Sequence, residues 1–167
     1  MERCVKAVIC FLIAQLTSLT NVYANDSLTL SMSGVIEERC VVGIVDSIPF
    51  DFSMELSHTA NLSIECNLPM LIALRSDYGG LELIDGSVET SLVAEYQVEL
   101  NIDSLNFSLK QKSKELIDEQ RFITGADIPF NTSGMIKVSL FEPLKFAGEY
   151  QDTLHIDVYP NFVNSGI

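Results

Sequence analysis

Apolar and polar residues alternate along most of this chain. Leu28, Leu30 and Met32 alternate with Thr29, Ser31 and Ser33, and the phase continues through Gly34 and Ile36. Period two sends successive side chains to opposite faces, so the run predicts a strand with one buried face. Cys40-Val41-Val42-Gly43-Ile44-Val45 predicts a second short strand, which Pro49 ends or confines to an edge. Phe50 and Phe52 then alternate with Asp51 and Ser53. Leu62, Ile64 and Cys66 share one phase until Asn67-Leu68-Pro69 interrupts. Met70, Ile72 and Leu74 resume it with Leu71 and Ala73 between them, as in a strand buried on both faces. Asp77-Tyr78-Gly79-Gly80 predicts a turn, because paired glycines tolerate positive φ. Leu81 and Leu83 predict a short strand closed by an Asp85-Gly86 turn.

Leu92, Ala94, Tyr96, Val98 and Leu100 fall on one face of the next run, and Leu105, Phe107 and Leu109 continue in the same manner. Residues 110–121 break the pattern. Their lysines and carboxylates predict a surface excursion, with Leu116 and Ile117 anchoring a single turn. Strand pattern returns over residues 135–141. The last strand carries Tyr150, Asp152, Leu154, Ile156 and Val158 on one side, and Pro160 stops it. Asp152 sits badly on an apolar row. It is either buried and hydrogen-bonded, or the strand proper begins after it; the second is favoured. Seven or so short strands between turn signals predict an all-β fold, a sandwich with a barrel as the alternative. No amphipathic helix of about 10–15 residues separates the strands, which argues against a doubly wound α/β fold.

The first residues do not belong to this pattern. Arg3 and Lys6 precede an uncharged run from Ala7 to Ala14, and Val22-Tyr23-Ala24 offers a cleavage site. Residues 1–24 therefore read as a cleaved secretory signal, since the apolar run is about half of the roughly 20 residues that span a bilayer. No transmembrane segment is expected after cleavage. Cys4 and Cys10 leave with the signal, and the remaining Cys40 and Cys66 are expected to form a disulfide, as an even pair in an exported chain.

Charge narrows the function. Removing Glu2, Arg3 and Lys6 leaves 8 basic and 22 acidic residues over residues 25–167. That balance disfavours nucleic acid, which is held through cationic contacts to phosphate. Catalytic chemistry is poorly supplied. The only histidines, His58 and His155, read as solvent-facing and have no metal-ligand spacing. There is no Gly-x-Ser-x-Gly elbow, no phosphate-cradling glycine loop and no calcium-loop spacing. Neither an enzyme nor a cofactor or metal is expected.

Three stretches resemble a known family. Gly34-Val35-Ile36-Glu37-Glu38-Arg39-Cys40-Val41-Val42 resembles the first strand and first cysteine of fimbrial subunits. Leu62-Ser63-Ile64-Glu65-Cys66-Asn67, with Ile72-Ala73-Leu74 and Gly79-Gly80-Leu81, resembles their second-cysteine strand and following turn. Ala147-Gly148-Glu149-Tyr150-Gln151-Asp152-Thr153-Leu154-His155-Ile156 resembles their closing strand. Over residues 28–160 the chain is similar to the spore coat protein U domain, a group that overlaps the archaic chaperone–usher pilins.

The resemblance implies a domain over residues 25–160, followed by a short tail at 161–167. It implies an immunoglobulin-like sandwich lacking one strand and completed by donor-strand complementation. It also implies a periplasmic chaperone, an outer-membrane usher and other copies or related subunits as partners, with the product at the cell surface. Leu28, Leu30 and Met32 become candidate donor residues, although they equally fit the first strand of the chain's own domain. Tyr150, Leu154, Ile156 and Val158 become candidate closing-strand residues in chaperone contact. The tail beyond Pro160, the three residues before the first alternating run and the charged segment 110–121 depart from the family pattern. The leading expectation is a secreted fibre or coat subunit. The alternative is a stand-alone or tip-located binding domain, an adhesin.

Overall fold

A computed structural model describes residues 28–45, 49–86 and 92–161. The predicted export signal and residues 162–167 of the predicted tail lie outside the described residues. The chain divides after Val35. In the first unit, residues 28–35 hold no regular secondary structure, and Leu28, Leu30 and Met32 are 95%, 72% and 85% exposed. The alternation there predicts a strand, but no ladder forms. Period two supplies a face; a strand also needs a paired backbone.

The second unit is all-β. Its strands are β1 (Cys40–Ile44), β2 (Ser57–Cys66), β3 (Met70–Ser76), β4 (Leu81–Gly86), β5 (Val93–Ala94), β6 (Tyr96–Ile102), β7 (Phe107–Lys112), β8 (Gln120–Ile123), β9 (Thr132–Leu140), β10 (Gly148–Gln151) and β11 (Leu154–Pro160). They form three antiparallel ladders, ordered β1-β2-β9-β6-β7, β11-β3-β8 and β10-β4-β5. Among the described residues, eleven strands stand where seven or so are expected, because apolar runs break and because β8 forms at the end of the expected charged excursion. The run through Tyr96 splits at Glu95 between two ladders. Asp85 and Gly86 lie within β4, paired with Glu149 and Gly148, rather than forming the expected turn.

Inward rows from two ladders share one core. Leu62, Ile64 and Cys66 of β2, Val98, Leu100 and Ile102 of β6, and Ile136, Val138 and Leu140 of β9 meet Met70, Ile72 and Leu74 of β3. Complete burial of each large aliphatic side chain stabilises the fold by about 1.5–3 kcal/mol. Leu116, fully buried on a short 3-10 turn (Ser113–Leu116), plugs the core, while Ile117 stays exposed. The few buried hydroxyls are satisfied. Ser113 Oγ accepts from Tyr96 N–H, and Thr124 Oγ1 donates to Met70 C=O.

The Cys40–Cys66 disulfide links directly opposed residues of β1 and β2. The turn at residues 77–80 uses its glycines as expected: Gly79 and Gly80 have φ of 72° and 153°. A Cβ on Gly80 would come within 2.6 Å of Val93 Cγ1 and 2.7 Å of Ala94 C=O.

Candidate functional site: an open edge between two strands

β1 and β11 are both end strands of their ladders. They approach to within 8 Å between Cα atoms, yet no ladder joins them. Each is paired on one side only, β1 with β2 and β11 with β3. Unpaired backbone on such edges is a ready template for another strand.

The side chains above this gap are apolar and incompletely covered. Leu154, Ile156 and Val158 of β11 face the core but are only half-buried, as is Val42 of β1. Ile44 pairs with the buried Leu62, so both point to the same side. Leu62 is nearly inaccessible, whereas Ile44 is 55% exposed. At this end the gap widens into a cavity of about 300 Å³, lined by Ile44, Phe50, Phe52, Ala60, Leu81, Tyr96, Ile136, Val138, Asp152, Leu154 and Ile156.

Phe50 and Phe52, two of the lining residues, both pack against His58. The His58 ring stacks on Phe50 at 5.4 Å and meets Phe52 edge-on at 4.9 Å. Its Nε2 lies 2.5 Å from Asp51 C=O. His58 is therefore half-buried packing material on β2, not the solvent-facing residue expected. Asp51 shapes the same turn by accepting from Ser53 N–H at 2.9 Å, and hydrogen bonding from Ser53 holds its carboxyl below the usual range. His155 lies on the outward row of β11, with Nε2 3.1 Å from Asp77 Oδ1.

The candidate closing-strand residues do not stay together. The row breaks at Asp152 and Thr153, so Leu154, Ile156 and Val158 belong to β11 and Tyr150 to β10. The favoured expectation, a strand that begins after Asp152, matches this break. Tyr150 has another job. Its hydroxyl donates to Phe146 C=O and accepts from Phe146 N–H, closing the preceding loop. Sequence reading missed Ile44, Phe50 and Phe52 as cavity-lining residues. Their periodicity shows a face but not that the face is left uncovered.

A larger cavity of about 470 Å³ lies elsewhere, against residues 92–95 and 141–146. Its charged lining groups are engaged: Lys145 with Glu142, Glu95 with Lys114 at 3.4 Å, and Lys112 over the Phe141 ring at 6.0 Å. Among the described residues, no three His, Cys, Asp or Glu side chains converge as a metal site. No helix of the described residues is long and apolar enough to cross a membrane.

No family model matches this chain, and no curated protein matches it.

Proposed function

We propose that this chain is a structural subunit of a secreted fibre or surface coat. In this reading its second unit is an incomplete immunoglobulin-like sandwich, and the gap between β1 and β11 accepts a strand from another copy. The observation that carries it is the pair of adjacent, unladdered edges above half-covered apolar rows. An edge of this kind left open is costly and prone to association. A periplasmic chaperone covers it before assembly, an outer-membrane usher exports the subunit, and a neighbouring copy fills the gap in the finished fibre.

The chain carries a suitable donor. Leu28, Leu30 and Met32 recur at every second position and are largely exposed. From first to third they span about 13 Å of extended backbone, the same span as Leu154 to Val158. Insertion also has a mechanical requirement. Adjacent strands sit about 4.8 Å apart, so an intervening strand needs its neighbours roughly 9.6 Å apart. Where β1 and β11 come within 8 Å, the incoming strand has to part them.

The test is assembly of the exported chain. Replacing Leu28→Asp and Leu30→Asp together places two carboxylates where apolar pockets receive the donor. The variant is expected to stay unpolymerised while still binding an added peptide of residues 28–36 with the native sequence. Undiminished polymerisation of the variant refutes the donor assignment. A chain that forms a stable monomer and ignores the peptide refutes the acceptor groove.

A further inference from the structure

Among the described residues, Asp152 is the one carboxylate that lines the groove cavity, and it marks a break in the fold. β11 pairs with β3 and β10 with β4, so the two ladders would be one long pairing were they not interrupted at Asp152 and at the 77–80 turn. Four donors converge on its carboxylate. Oδ1 accepts from Tyr78 N–H at 3.1 Å and Thr153 N–H at 2.8 Å. Oδ2 accepts from Ser76 Oγ at 2.6 Å and from the Tyr96 hydroxyl at 2.7 Å. Ser76 Oγ in turn accepts from Gly79 N–H at 2.8 Å.

A carboxylate has about four lone-pair sites, so this one is saturated and has nothing left for an occupant of the cavity. What it does instead follows from where the donors sit. They come from the end of β3, from the turn after it, from the entrance of β11, and from β6 in the five-stranded ladder. Asp152 thus ties the start of an edge strand to both sides of the core.

We propose that Asp152 is the positioning residue of the acceptor groove, holding the β11 edge in register before an incoming strand pairs with it. The inference rests on the acceptor-groove reading above. A strand that docks on a fixed edge does not have to order that edge on binding, so the ordering cost is removed from the binding step.

The experiment uses the exported protein in complex with a fluorescent peptide of residues 28–36, comparing wild type with Asp152→Asn. The amide keeps the size of the side chain, but its nitrogen cannot accept, so the contacts at one side must reorganise. The two hydrogen bonds to the replaced oxygen are lost or reversed and the other two lose their charge, which is expected to speed peptide dissociation and exchange of the β11 amides by at least about tenfold. Amides of β2 and β9 should keep wild-type exchange. Tyr96→Phe deletes one donor and should act in the same direction, more weakly. Unchanged dissociation overturns the proposal. So does acceleration that is equal in β2, β9 and β11, because Asp152 then serves overall stability alone. If the wild-type chain binds no peptide, the acceptor reading itself fails and takes this inference with it.

Discussion

Ile44→Ala is the sharpest single perturbation of the groove. Ile44 is 55% exposed although the residue paired with it, Leu62, is nearly inaccessible. Complete burial of an isoleucine contributes about 1.5–3 kcal/mol, so roughly half of that, about 0.8–1.6 kcal/mol, is left for an occupant to gain by covering it. At 1.4 kcal/mol per decade, the alanine variant should bind the peptide of residues 28–36 about four- to fifteenfold more weakly. Val41→Ala is the control. Val41 is 48% exposed on the opposite face of the same strand, paired with the exposed Glu65, and it loses the same β-branched preference. Titration by fluorescence anisotropy on the chain from residue 25 onward reads both. Equal weakening in the two variants, or none in Ile44→Ala, would show that the exposed face of Ile44 is not where the strand docks.

Three further outcomes follow from the packing. Replacing both Cys40 and Cys66 by serine should lower unfolding free energy by about 3–4 kcal/mol in the chain-entropy account, measured by urea denaturation. Burial, reinforced by the hydrogen bond to Asp152, pushes the Tyr96 hydroxyl above the ordinary tyrosine range. A raised folded value means that its contribution is fully present below the unfolded value of about 10 and is lost as pH rises beyond it. Alkaline unfolding curves should therefore show a Tyr96-dependent loss that Tyr96→Phe abolishes. Gly80→Ala places a Cβ against Val93 and the Ala94 carbonyl at φ 153° and should cost about 1–3 kcal/mol, read from thermal unfolding.

The inward rows are legible in the sequence because burial selects apolar residues at every second position. Leu62-Ile64-Cys66, Met70-Ile72-Leu74 and Tyr96-Val98-Leu100 all reach the core as their phase predicts. The 77–80 turn is legible for the same kind of reason, since only glycine tolerates its backbone cheaply. Leu116 is legible as the anchor of the charged excursion. Pairing is another matter. Nothing local says that residues 28–35 go without a ladder, or that β1 and β11 lie side by side unpaired. His58 misleads because its sequence neighbours are polar while its contacts, Phe50 and Phe52, arrive from a separate loop. Asp152 was legible as an anomaly on an apolar row, but its four donors are scattered between Ser76 and Thr153 and converge only on folding.

Amide hydrogen exchange reads the two edges, β1 and β11, directly. In the Leu28→Asp, Leu30→Asp chain, which cannot donate to itself, the gap-facing amides of β1 and β11 should exchange fast. Adding the native peptide of residues 28–36 should slow those amides selectively, with β2, β9 and β6 unaffected. Slow exchange at both edges with no peptide present would mean that β1 and β11 already satisfy each other, and would contradict the account.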